Sequence, residues 1–134
     1  MLTGHCLCGR VRYEADAEIR GIIHCHCETC RRTHASAFSS IASIPRSRFR
    51  WVTGEELLVS FESSPGKFRR FCSRCGSHLM AERVTSEHVM LRLGCLDNAG
   101  KPPALGHIWR SDAASWYDPK EELPEFAEGY VART

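Results

Sequence analysis

Apolar positions along this chain recur in short alternating runs, seldom at helical spacing. Arg10–Ala15, Gly21–His24, Phe38–Ile44, Phe49–Val52, Leu57–Glu62, Lys67–Phe71, Ser77–Glu82 and His88–Cys95 read as strands. Turn-forming stretches such as Thr53-Gly54-Glu55 and Ser63-Ser64-Pro65-Gly66 separate them. Helical periodicity is confined to Glu28–Ala35 and, for one further turn, Asp112–Tyr117. Asp97-Asn98-Ala99-Gly100-Lys101-Pro102-Pro103 is a loop by composition. The connections are too short for parallel crossovers, so the expected class is mainly β with antiparallel sheets and one or two short helices.

Alternation assigns faces within the strands. In His88–Cys95 one parity carries Val89, Leu91, Leu93 and Cys95, while Arg92 falls on the other. In Pro45–Val52, Arg46, Arg48 and Arg50 share one face, and Phe49 and Trp51 the opposite one. That pattern predicts a solvated strand face over a core, because no aromatic residues interleave with the arginines as a nucleic-acid surface would need.

At 134 residues the chain fits a single domain, 1–134, and a chain of this size buries roughly two-thirds of its unfolded surface. Hydrophobic residues make up 43% and charged residues 25%, and the formal net charge is +2 with the signs interspersed. This balance points to a globular protein and argues for no nucleic-acid and no membrane partner. The first residues hold no apolar signal core, so a cytoplasmic location is expected, where close-spaced cysteines bind metal more often than they form disulfides.

Seven of the eight cysteines fall into Cys6-x-Cys8, Cys25-x-Cys27-x-x-Cys30 and Cys72-x-x-Cys75. Two close pairs from distant segments can supply the four thiolates of a closed, structural zinc site, and glycine follows each pair (Gly9, Gly76), as a curled metal knuckle requires. The middle cluster has three cysteines. Three thiolates leave zinc one position for water or substrate, unless a histidine closes the site. His24, His26, His34, His78 and His107 are the candidates, with His26 disfavoured because alternation turns it away from Cys25 and Cys27. Cys95 continues an apolar parity and reads as a small buried hydrophobe.

Gly4-His5-Cys6-Leu7-Cys8-Gly9 with Val11-Arg12-Tyr13, then Cys25-His26-Cys27-Glu28-Thr29-Cys30-Arg31, then Phe71-Cys72-Ser73-Arg74-Cys75-Gly76-Ser77 resemble the motifs of the glutathione-dependent formaldehyde-activating enzyme family, which also includes centromere protein V. Gly94, Leu96-Asp97, His107-Ile108-Trp109, Trp116 and Leu123-Pro124-Glu125-Phe126 agree in order, so the likeness covers nearly the whole chain. The resemblance implies a β-tent zinc fold with two zinc ions per chain: a structural one on Cys6, Cys8, Cys72 and Cys75, and a catalytic one on Cys25, Cys27 and Cys30. It places His107 nearest the second. It also implies carbon–sulfur lyase chemistry, the reversible addition of glutathione to formaldehyde, with a small-molecule thiol and an aldehyde as substrates.

A thiol entering the open position of such a zinc loses its proton and attacks a small carbonyl. Arg31 and Arg32, just past Cys30, either offset the growing charge, clamp a substrate carboxylate, or are simply exposed at the start of a short helix. A zinc-stabilised binding module without catalysis, and a zinc hydrolase acting on imine-type adducts, are the competing readings.

Overall fold

The computed structural model describes residues 1–132, a mainly β protein with ten strands and one α-helix among them. The strands are β1 (Leu2–His5), β2 (Arg12–Ala15), β3 (Ile22–Cys25), β4 (Ser39–Pro45), β5 (Phe49–Thr53), β6 (Leu58–Ser64), β7 (Lys67–Cys72), β8 (His78–Arg83), β9 (His88–Arg92) and β10 (Ala104–Ile108). The helix, α1, is Glu28–His34; Ala35 ends it in the left-handed conformation. No described helix is long and apolar enough to cross a membrane.

β1, β2 and β5 form a small sheet, and the other seven strands form a large one in the order β10-β3-β4-β9-β8-β7-β6. Alternation builds the core between them. Leu2 from β1 and Tyr13 and Ala15 from β2 point inward to meet Ile44, Met80, Val89 and Leu91 of the large sheet. Phe49 and Trp51 of β5 pack on Tyr13 with ring centroids 5.1 and 6.0 Å away, so the aromatic parity expected of this strand faces the core.

Register decides what lies on the opposite face of the large sheet. Cys25 pairs with Ser39, Ile41 with Arg92, and Arg69 with Ala81, which in turn pairs with Met90. These partners step by twos along their strands, so Cys25, Ser39, Ile41, Arg92, Ala81 and Arg69 share one face. A second, small core of Cys25, Cys30 and Ile41 forms there, with Cys30 supplied by α1.

Several expectations need correction. β1 and β10 are absent from the sequence reading because each is short and interrupted in its apolar pattern by glycine, Gly4 and Gly106. β10 pairs with β3 in parallel, whereas every other strand pair is antiparallel. Most of the chain serves as its crossover, so the shortness of local connections did not forbid it. β9 stops at Arg92, and Leu93–Cys95 form a single tight turn that removes Cys95 from the strand parity. The thiol still packs against the main core, with burial pushing it up to about 11. A tight turn at Arg46–Arg48 likewise breaks the expected arginine face. Arg46 pairs with Glu82, Arg48 with Asp16 and Arg50 with Glu14, so no free basic stripe results. The helical turn expected over Asp112–Tyr117 does not form; the tight turn near it, Arg110–Asp112, ends where it should begin.

Gly4 lies beneath the Tyr13 ring, where an added Cβ would meet Cζ at 2.3 Å. Gly4→Ala should therefore destabilise by about 1–3 kcal/mol through overpacking. The buried Tyr13 hydroxyl has no hydrogen-bond partner among the described residues, so Tyr13→Phe should be no less stable than the parent. Denaturant melts of both variants check the pair of outcomes.

Candidate metal centres

The Cys6–Gly9 loop after β1 and the Cys72–Gly76 loop after β7 face one another across the two sheets. Each curls through a glycine at positive φ, Gly9 at 78° and Gly76 at 77°, whose N–H donates to the carbonyl of the first cysteine at 2.9 Å. The Val11 N–H points at Cys6 Sγ at 3.4 Å. Ser77 ties the loops together: its hydroxyl accepts from the Leu7 N–H at 3.0 Å and lies 3.3 Å from Cys75 Sγ. The sulfurs of Cys6, Cys8, Cys72 and Cys75 all lie within 4.8 Å of one another. Cys6–Cys8 and Cys8–Cys72 are 3.5 and 3.8 Å apart, against the ~3.8 Å edge of a thiolate tetrahedron around zinc.

Titration is uneven across these four thiols. The Ser77 hydroxyl leads the influences that hold Cys75 down to about 5. Cys8 is pushed up to about 11: the Arg10 N–H favours its thiolate, but burial and the neighbouring sulfurs prevail. Four sulfurs this close cannot all be thiolates unaided, and a divalent cation removes the conflict.

The second cluster sits on the site face of the large sheet. Cys25 ends β3, Cys27 caps α1 by accepting from the Cys30 N–H at 3.3 Å, and Cys30 is buried within the helix. Their three sulfurs also lie within 4.8 Å of one another, and no fourth ligand atom from a described His, Cys, Asp or Glu joins them at that distance. Burial pushes Cys25 up to about 12, reinforced by Cys30 and Cys27. Burial also acts against the Cys30 thiolate, but the Ser39 hydroxyl, Cys27, Cys25 and Arg92 outweigh it and bring Cys30 down to about 7. The same charge conflict therefore invites a cation here, with one fewer protein ligand. Cys27, the least buried of the three, lines a cavity of about 370 Å³ together with Ser63, Lys67, Arg69, Trp109 and Asp112.

None of the candidate histidines completes the trio. His26 is fully buried and shares a 2.7 Å hydrogen bond with His107, beside Phe38 and Tyr117. His24 bonds the Ser40 hydroxyl at 2.9 Å. His34 and His78 lie edge to face with ring centroids 5.3 Å apart. Arg32 pairs with Glu28 on the exposed side of α1 at 3.0 Å, which is the bland reading of that residue. The Arg31 Nε is buried without a partner among the described residues.

Two other arginines face the trio. Arg69 is 3% exposed; its Nε donates to Ser63 Oγ at 2.9 Å and its Nη1 lies 4.0 Å from Cys30 Sγ. Arg92 is 6% exposed, and burial pushes it down to about 10, with Cys30, Cys25 and Cys27 supporting its charge. Neither has a carboxylate partner in any ion pair among the described residues. Sequence parity separated Arg92 from the core of its strand but could not say what stood opposite; Arg69 carried no signal at all.

Fold and site together define a mainly β protein built around two cysteine clusters suited to metal, one of four sulfurs between sheets and one of three on a sheet face. Residues 1–112 match the family model for glutathione-dependent formaldehyde-activating enzyme, and the chain belongs to that family. A Schizosaccharomyces pombe protein described as an uncharacterized lyase is 33% identical over 76 residues, covering 57% of this chain and 53% of that protein. A Colletotrichum graminicola protein described as a candidate glutathione-dependent formaldehyde-activating enzyme is 27% identical over 96 residues, covering 72% of this chain and 44% of that protein. The chain spans about half the length of the curated relatives it matches. A crystal structure of a Rhodobacter sphaeroides protein shares the fold, with a TM-score of 0.62 at 24% identity, over 76% of this chain and 98% of that one.

Burial holds His34 down to about 4, helped by Arg92, His78 and Arg69, so the folded protein keeps this ring neutral. Its contribution to stability is present above the ordinary imidazole value of 6.5 and is lost as pH falls from there through about 4. His34→Phe should flatten the stability profile in that window while leaving neutral-pH stability similar. Thermal melts of both proteins from pH 7.5 to 4.5 check it.

Proposed function

We propose that this protein is a zinc-dependent carbon–sulfur lyase of the S-(hydroxymethyl)glutathione synthase type, catalysing the reversible addition of a thiol such as glutathione to formaldehyde or a related small carbonyl. The observation that carries the reading is the contrast between the two clusters: four sulfurs close one, while three sulfurs and no further donor leave the other open beside a cavity. Cys6, Cys8, Cys72 and Cys75 would hold a structural zinc; Cys25, Cys27 and Cys30 would hold the catalytic one. Zinc at the second centre supplies a Lewis acid that lowers the pKa of an incoming thiol.

The chain's own residues do the rest. Three cysteinates holding a divalent ion would carry one net negative charge, and a substrate thiolate beside them would make it two. Arg69 and Arg92, both buried against the trio, match that charge. The wall of Ser63, Lys67, Arg69 and Trp109 encloses the reactants beside Cys27. In the addition, the S–C bond forms as the carbonyl C–O π bond breaks, and the proton from the thiol ends on the new hydroxyl. The reverse reaction returns it to sulfur.

Protein purified with zinc should carry two ions per chain by elemental analysis, and should accelerate exchange between formaldehyde plus glutathione and their hydroxymethyl adduct above the uncatalysed blank, as read by NMR exchange spectroscopy. Cys8 and Cys72 lie 64 residues apart, so their shared zinc closes a long loop and contributes on the order of 10 kcal/mol to folding. Cys72→Ser should be insoluble or molten. Cys27→Ser should stay folded, hold about one zinc and lose the exchange activity, because a hydroxyl is a poor zinc ligand beside thiolates. If Cys27→Ser unfolds as readily as Cys72→Ser, the three-cysteine centre is structural and the lyase reading fails.

A further inference from the structure

A second cavity, about 350 Å³ in volume, shares none of its lining with the one beside Cys27, and of its walls only Arg92 enters the mechanism above. His34, Ser39, Ser40, His78, Arg92 and Cys95 line it. Its wall holds histidines, serine hydroxyls and one guanidinium, and no carboxylate. Arg92 is 6% exposed yet has no carboxylate partner in any ion pair among the described residues, and the Ser39 hydroxyl beside it is buried without a partner among them. The His34 Nε2 atom on the same wall is buried and unpartnered as well. Buried guanidiniums are stable only when paired, and an unpaired buried nitrogen costs free energy that a ligand can recover.

The cavity is also coupled to the three-cysteine centre. Ser39 pairs with Cys25 across β3 and β4, and Arg92 pairs with Ile41, two residues further along the same face of β4. An anion bound here therefore sits next to the reacting groups.

We infer that the cavity lined by His34, Ser39, His78 and Arg92 is a carboxylate subsite, which selects substrates bearing a carboxylate near the reacting sulfur or carbonyl. The inference rests on the thiol–carbonyl reading of the neighbouring centre. Arg92 forms the charge-assisted contact to the carboxylate, the neutral His34 ring adds an Nε2–H donor, and Ser39 lines the same wall. The carboxylate belongs either to the thiol or to the carbonyl compound, and the two sources can be told apart.

Isothermal titration of zinc-replete protein with matched pairs tests the inference without relying on turnover: mercaptoacetate against 2-mercaptoethanol, and 3-mercaptopropionate against 3-mercapto-1-propanol. In a second arm glyoxylate is compared with glycolaldehyde in the presence of the neutral thiol. One arm should show the acid binding roughly 10- to 100-fold more tightly than its alcohol counterpart, and that arm names the source. Arg92→Met should abolish the preference of acid over alcohol whatever it does to thiol affinity as a whole, and Arg92→Lys should keep part of it. Should Arg92→Met prove unstable, His34→Phe should weaken the preference several-fold on a folded background. Equal binding of acid and alcohol in both arms, or a preference that survives Arg92→Met or His34→Phe undiminished, overturns the subsite and leaves the thiol reading intact. Failure of every thiol to bind overturns both.

Discussion

The convergence of Cys6, Cys8, Cys72 and Cys75 is the constraint on which the rest of the molecule depends. Those four sulfurs join the loop leaving the small sheet to the loop between β7 and β8, and so set how the two sheets face each other across their shared core. The effect reaches the other cluster through β7. Arg69 precedes Cys72 on that strand, and a strand pinned at its end holds Arg69 in register with Ala81 and against Cys30. A cross-link that looks remote from the chemistry therefore positions a charge within it.

The two clusters resolve one electrostatic problem in different ways. Crowded thiols resist joint ionisation, and in each cluster one thiol is pushed well up while another is drawn down. At the four-sulfur cluster the balance is local, from backbone N–H groups and the Ser77 hydroxyl. At the three-sulfur cluster it comes from the Ser39 hydroxyl, the neighbouring sulfurs and Arg92, a guanidinium buried on the opposite side of the sheet from the main core. Burying arginine without a carboxylate is costly, and a fold that does so at a sulfur cluster keeps positive charge in reserve there.

Much of this was legible in the sequence, for physical reasons. Cysteine spacing survives folding because a knuckle is a local structure, so the grouping into four and three sulfurs was readable before any contact was known. α1 was readable because Cys27 caps it and its periodicity is local; it differs from the expected Glu28–Ala35 only in its last residue, the left-handed Ala35. What stayed hidden was set by partners distant in sequence. β10 exists because β3 offers it an edge, not because Ala104–Ile108 alternates cleanly. Cys95 left its expected face because a tight turn replaced the end of the strand. The burial of Arg69 and Arg92 follows from register across β7, β8, β9 and β4, which no spacing along one segment encodes.

The parallel pairing of β10 with β3 also orders events during synthesis. β3 carries Cys25 at its end and can pair with β4 early, since the two are neighbours in the chain. Its other edge has no partner until Ala104–Ile108 has been made, by which time every other strand has already been synthesised. Closing so long a loop is slow compared with forming hairpins. Through that interval the nascent chain presents an open strand edge ending at the cysteine trio, the state most exposed to pairing with another chain or to thiol oxidation.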